Sequence, residues 1–215
     1  MIRSIRFGPW LVAMLAAAPA CGRETPVAKA RAETAPPARH ATDTAHRPVH
    51  VDSILPREVA LERFQRASTR VSALSSGART RDDLVRRFAR AVEARDTAAL
   101  RRLVLSRGEY AFLYYPTSAQ GLPPYSLPPE LLWLMMVEQS NRGVTRLLAE
   151  RAGRPLGVAG LRCVGDSTLE GKNRLWGPCL IRRVEAPGDT VEERLFGPII
   201  ERDGRFKFVS YSNKL

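Results

Sequence analysis

Apolar residues recur along this chain with two periods, and the change between them divides it. From 80 to 152 the spacing is helical. Leu84, Phe88 and Val92 follow every four residues, with Arg86, Arg90 and Glu93 on the opposite face. Thr80 is the expected N-cap of that helix, and Asp83 stands at its third position, where a carboxylate favours the exposed amides. Upstream, Val59, Ala60, Phe64 and Ala67 share one side of a helix beginning at Pro56, which Ser75-Ser76-Gly77 interrupts. Downstream, Asp96 caps a short helix carrying Leu100, Leu103 and Val104; Ser106 opens another, stopped at Pro116. A long helix over 130–151 carries Leu131, Leu132, Leu134, Met135, Val137, Leu147 and Leu148, with a weak point expected at Gly143.

Beyond residue 153 the period falls to two. Segments 156–164, 174–184, 191–201 and 205–211 read as strands, and Asp203-Gly204 and Pro187-Gly188 as hairpin turns. Phe206 and Phe208 share one face of the last strand; Lys207, Val209 and Tyr211 share the other. A turn around Gly171 sets Cys163 opposite Cys179 and Leu161 opposite Ile181. Directly opposed strand residues can meet the Cα separation of about 4.4–6.8 Å that a disulfide needs. Leu175-Trp176-Gly177-Pro178 recurs as Leu195-Phe196-Gly197-Pro198, and a hairpin centred on Gly188 places Pro178 against Pro198. Proline cannot donate to a ladder, so these positions predict either a sharp bend or a break. Helices first and a strongly curved antiparallel sheet of about four strands last make an α+β fold, with 52–215 as one domain.

Composition adds location. The net charge is +12, from 30 Arg and 4 Lys against 22 acidic residues. Residues 52–215 hold 27 basic and 19 acidic residues, interspersed, which suits solvated helix faces more simply than a binding patch. The chain opens with Arg3 and Arg6, an apolar run from Phe7 to Ala20, and Ala18-Pro19-Ala20 before Cys21-Gly22. A basic start, a short apolar run and small residues at a cut site define a secretory signal. Export argues against a nucleic-acid partner. Residues 22–51 lack aromatics and apolar periodicity, so they are expected to form a disordered tether, with a reach of roughly 30 Å.

The start resembles a bacterial lipoprotein signal, in which the cysteine becomes the lipid-modified first residue. The resemblance covers residues 1–22 and implies a membrane-anchored envelope protein with Cys21 as its attachment point. Ala-Pro-Ala also fits ordinary cleavage at the same bond, and an uncleaved anchor is a further alternative. Three cysteines are an odd number for an oxidising compartment; lipid on Cys21 leaves Cys163 and Cys179 as one pair.

Several chemistries are closed to the domain. All three histidines (His40, His46, His50) lie in the tether, which removes Ser-His-Asp, Cys-His and His-ligated zinc sites. No metal or cofactor is implied. Trp176-Gly177-Pro178-Cys179 resembles the thioredoxin motif, but tryptophan stands where the attacking cysteine belongs. Tyr110, Phe112, Tyr114, Tyr115, Tyr125 and Trp133 cluster in sequence. They suit either core packing or the lining of a ligand pocket, for which Tyr110, Phe112, Tyr114, Tyr125 and Trp133 are the candidates. Glu109 among them is a candidate buried carboxylate with a raised pKa, a general base that would act with Tyr114 or Tyr115.

The order of helices and bent sheet over 80–215 resembles the nuclear-transport-factor-2-like (cystatin-like cone) superfamily. That resemblance implies a pocket enclosed by helices and sheet, in a binding domain or a small enzyme. Three functions follow. The first is a non-catalytic domain binding a small apolar ligand or an envelope partner. The second is a cone-type enzyme using Glu109 with Tyr114 or Tyr115. The third is an interaction protein whose arginine faces grip anionic envelope polymers. A filled core would sink both pocket readings, and a single-sign arginine patch would raise the third.

Overall fold

The computed structural model describes residues 55–186 and 188–213; the signal-like stretch, Cys21, the tether and its histidines lie outside them. The helical half forms where its spacing places it. Helix α1 (Arg57–Arg66) buries Ala60 and Phe64. Helix α2 (Arg81–Glu93) begins where the Thr80 hydroxyl accepts from the Asp83 amide at 3.0 Å, and it buries Leu84, Phe88 and Val92. Helix α3 (Thr97–Leu103) is capped by Asp96, which accepts from the Ala99 amide at 2.8 Å. A single turn, α4 (Arg107–Glu109), runs into a π-helical turn over Tyr110–Tyr114 and two 3-10 turns. The chain then enters α5 (Pro129–Arg151).

Gly143 does not weaken α5. The helix runs through it, and the missing side chain lets another backbone come close: a Cβ there would lie 1.7 Å from the Tyr211 carbonyl oxygen. The Tyr211 amide donates to Ser140 Oγ at 3.0 Å and Asn213 Nδ2 to the Gly143 carbonyl at 2.9 Å. The expected weak point is the seat of the C-terminal segment.

The strands are β1 (Val158–Cys163), β2 (Thr168–Glu170), β3 (Asn173–Trp176), β4 (Cys179–Ala186), β5 (Asp189–Glu193), β6 (Ile199–Arg202) and β7 (Arg205–Phe208). They form two antiparallel sheets, ordered β1-β4-β5 and β2-β3-β6-β7, instead of one sheet of four. The reason lies in the Gly-Pro echo. The two longest expected strands each divide there, into β3 and β4 around Gly177-Pro178 and into β5 and β6 around Gly197-Pro198. A proline amide cannot carry a ladder through. The breaks lie close together: a Cβ on Gly177 would sit 3.3 Å from Pro198 Cα, so Gly177, not Pro178, meets Pro198.

Register follows the same rule. Cys163 pairs with Cys179 and Leu161 with Ile181, as expected. The Gly171 turn itself closes the shorter pair Glu170–Asn173, which belongs to the other sheet. The β4–β5 hairpin sets Ile181 against Glu193, so it is centred one position before Gly188. Asp203 and Gly204 close β6–β7 with φ of 50° and 68°, the left-handed pair such a turn demands. A disulfide joins Cys163 and Cys179, with Cα atoms 3.9 Å apart, closer than the expected range.

The fold is mixed α+β. One core cluster gathers Phe88, Phe196, Phe208 and Tyr211; another gathers Phe64, Tyr110, Tyr115 and Leu132. Because β7 ends at Phe208, the alternation stops there. Tyr211 does not stay with Lys207 and Val209: its ring lies 5.5 Å from Phe208 and stacks on Phe88 at 5.9 Å.

Candidate functional site

Glu109 is buried, but it is not a base in waiting. It stands at the third position of Ser106-Arg107-Gly108-Glu109, the spacing of a capping box. The Ser106 hydroxyl accepts from the Glu109 amide at 3.2 Å, and Glu109 Oε2 accepts from the Ser106 amide at 2.7 Å. Oε1 accepts from the amide and hydroxyl of Ser75 at 2.7 and 2.9 Å. Buried Lys207 donates to both oxygens, at 3.1 and 2.8 Å. Burial pushes the carboxyl pKa up, but the Lys207 hydrogen bond and the Ser106 amide outweigh it. Lys207's charge and the Ser75 amide act the same way, so the group lies below the usual carboxylate range. The expectation of a raised pKa is corrected: burial was read rightly, but the partners were not. The capping-box spacing was the available signal.

The aromatic cluster is packed solid. Tyr110 lies 5.5 Å from Phe64, 6.0 Å from Tyr114, 5.7 Å from Tyr115 and 5.0 Å from Trp133, centroid to centroid. The Tyr110 hydroxyl donates to the Pro129 carbonyl at 2.9 Å, and the Tyr115 hydroxyl to the Leu127 carbonyl at 2.7 Å. Burial raises the phenol pKa of Tyr110, Tyr114 and Tyr115. Phe112 packs against the same cluster, half-buried, while Tyr125 is 67% exposed. Of the five expected pocket residues, Trp133 alone lines a cleft of about 660 Å³.

That cleft adjoins the cluster, with Leu105, Trp133, Met136 and Val209 belonging to both. It runs between α3, the segment 104–107 and α5, with Val209 at its base. Val104, Leu105, Trp133, Met136, Val137 and Val209 supply the apolar surface; Ser106, Ser140 and Asn141 are its neutral polar groups. Arg101, Arg102 and Arg107 stand at the rim, and no acidic residue lines it. Arg107 is held over the Phe64 ring at 4.1 Å and donates to Ser68 Oγ at 3.2 Å. A second hollow of about 330 Å³ continues past Arg101, Val104, Ser140 and Asn141 to Leu100, Val144 and Tyr211.

The lining of α5 at 133, 136, 137, 140, 141 and 144 is one helical face. Its signal was the unbroken run Leu131–Val137: seven apolar residues in a row surround a helix, and one core cannot cover them all. Leu132 and Met136 are buried, Trp133 and Val137 line the cleft, and Leu131, Leu134 and Met135 are exposed.

No protein-family model, no curated protein and no solved structure matches this chain. Its function is therefore read from the site's own chemistry. Among the described residues, no group of His, Cys, Asp and Glu is arranged to hold a metal ion, and no helix is long and apolar enough to cross a membrane. Many arginine faces are mixed in sign. Arg87 pairs with Asp83, Arg142 with Glu138, Arg151 and Arg183 with Glu193, and Arg162 with Glu192.

Proposed function

We propose that this chain is an exported, lipid-anchored envelope protein whose domain holds a small apolar ligand in the α3–α5 cleft without transforming it. The cleft carries the reading. Its volume falls within the range of about 300–1,000 Å³ typical of ligand pockets, and an apolar lining with a few polar groups at one edge is their usual chemistry. The absence of transformation is argued from Glu109, whose two oxygens are engaged by Ser75, Ser106 and Lys207. Export and anchoring rest on the signal-like residues 1–22. The Cys163–Cys179 disulfide supports them, because such bonds persist in oxidising compartments. With that pair formed, Cys21 is the one cysteine left to take lipid.

A cone-like arrangement is proposed with it, the helices lying against the two sheets, which divide at the two Gly-Pro sites. In support, Gly177 meets Pro198, and the Phe88 ring of α2 lies 5.4 Å from Phe196 and 5.5 Å from Phe208.

The ligand reading is tested with the neutral apolar dye N-phenyl-1-naphthylamine and the full chain carrying Cys21→Ser, so that no covalent acyl chain competes. We expect saturable fluorescence enhancement that Val137→Arg abolishes at an unchanged thermal midpoint. Enhancement that survives this variant would place the dye elsewhere and sink the cleft reading. Intact-mass analysis of the membrane fraction tests the anchor: wild type, and not Cys21→Ser, should carry a diacylglycerol increment at its N-terminus.

A further inference from the structure

We propose that the α3–α5 cleft selects a single-chain amphiphile with an anionic head, its chain lying towards Trp133 and its head at Arg101 and Arg102. The proposal rests on the cleft reading above and adds the ligand's charge. Three observations carry it.

The first is polarity along the cleft. The two hollows share Arg101, Val104, Ser140 and Asn141; the larger continues to Leu105, Trp133 and Met136, the smaller to Thr97, Val144 and Thr145. Leu105, Trp133 and Met136 give the larger hollow apolar surface beside Ser106 and Arg107, the latter turned onto the Phe64 ring and Ser68; the shared part carries Arg101, Ser140 and Asn141 beside Val104. An amphiphile has that same division.

The second is charge. Arg151, Arg162 and Arg183 each lie within 4 Å of a carboxylate. Among the described residues no carboxylate lies that close to Arg101 or Arg102, and none lines the cleft. Two adjacent guanidiniums on an exposed stretch of α3 thus line the cleft without a salt bridge, although Arg102 also borders a neighbouring hollow that Asp96 lines. Guanidinium binds carboxylate and phosphate through paired N–H groups, and a neutral or cationic head gains nothing from it.

The third is the opposite wall. Ser140 Oγ accepts from the Tyr211 amide at 3.0 Å, which leaves its own proton to donate. Asn141 beside it is exposed and adds amide donors. A head group seated there meets donors from both helices.

Displacement of the dye from the Cys21→Ser chain tests this with dodecanoate, dodecyl phosphate, dodecanol and dodecyltrimethylammonium, all below their micellar concentrations. Each exposed charge pair is worth little, so the two arginines together should favour the anions over the alcohol by about tenfold. The preference should shrink as salt is raised, while dye affinity should not. Arg101→Ala/Arg102→Ala should erase the preference at an unchanged thermal midpoint; Arg101→Glu/Arg102→Glu should reverse it towards the cation. Success with both anions, or with either alone, supports an anionic head and tells a fatty acid from a phosphate-headed lipid. Equal displacement by dodecanoate, phosphate and alcohol overturns the head assignment while the cleft reading stands. Dye binding that Val137→Arg does not abolish overturns both.

Discussion

Helix α5 has a filled side and an open one, built from the same apolar run. On the filled side Tyr110 meets Phe64, Tyr114, Tyr115 and Trp133, and its hydroxyl bonds the first residue of the helix. On the open side Val137 borders a cleft of about 660 Å³, with Trp133 and Met136 shared between the two sides. Aromatic residues with polar tips suggested a ligand site on the first side. The geometry offers space on the second, where the residue types are plainer. A buried tyrosine whose hydroxyl is satisfied by a backbone carbonyl is a finished piece of core. A ligand site instead needs surface that the protein leaves unfilled.

If that contrast holds, substitutions on the filled side should cost stability, and those on the open side should cost binding. The largest effect is expected at Glu109, which ties α4 to Ser75 and β7. Glu109→Ala leaves the Lys207 ammonium, 2% exposed, with neither of the bonds it makes to the carboxylate. Breaking a buried pair on one side costs about 3–5 kcal/mol, and urea denaturation should show a loss of that size. The pH dependence has a definite sign. The folded-state pKa of Glu109 is depressed, so its contribution is present above the unfolded carboxylate range and is lost as pH falls through the folded value. The difference between wild type and Glu109→Gln should therefore narrow on acidification. A constant difference would show that the carboxylate's charge is not what holds this side together.

Gly143→Ala should come next. Its methyl group would meet the Tyr211 carbonyl oxygen at 1.7 Å, so the C-terminal segment must shift. Overpacking of this kind costs about 1–3 kcal/mol. Val209 and Tyr211 of the same segment border the two hollows, so dye affinity should fall with stability here. Val137→Arg should separate the two quantities, and Gly143→Ala should move both. Unchanged dye affinity in Gly143→Ala would show that the segment does not shape the cleft.

Much of this architecture was legible in the residues, for local reasons. Thr80, Asp96 and Ser106 each cap a helix as their side chains permit, and Leu84, Phe88 and Val92 are buried as a four-residue spacing demands. Cys163 and Cys179 could be paired because they lie symmetrically about Gly171, although the turn there closes β2–β3 and the cysteines pair across β1–β4. What stayed hidden depends on residues far apart in the chain. Lys207 lies 98 residues from Glu109, and nothing local to either announces the other. The bare face of Gly143 has meaning only once Tyr211 is seated on it. The division into two sheets was half legible, since Gly-Pro permits a bend or a break and tertiary packing decides between them. The run Leu131–Val137 shows that α5 carries more apolar face than one core covers, but the cleft's place depends on the separation of α3 from α5, which no residue pattern encodes.

The filled side has a seam at Glu170, and the smallest predicted effect lies there. Glu170 is half-buried; its Oε1 accepts from the Ala119 amide at 3.3 Å and its backbone carbonyl from Thr117 Oγ1 at 2.9 Å. Its Oε2 has no hydrogen-bond partner among the described residues. Burial raises its pKa and the Ala119 amide only partly offsets that, so the direction is opposite to that of Glu109. A carboxyl with a raised folded-state pKa contributes stability below the unfolded carboxylate range and loses it as pH rises through the folded value. Glu170→Gln keeps an acceptor for Ala119 and removes the charge. It should therefore be neutral or stabilising at pH 7, by less than about 1 kcal/mol because the group is partly screened by solvent. The advantage should disappear on acidification, when wild-type Glu170 is itself protonated. Denaturation midpoints at both ends of that range decide the matter. Destabilisation at neutral pH would mean that the ionised Glu170 is as well held as Glu109, and that the filled side has no seam.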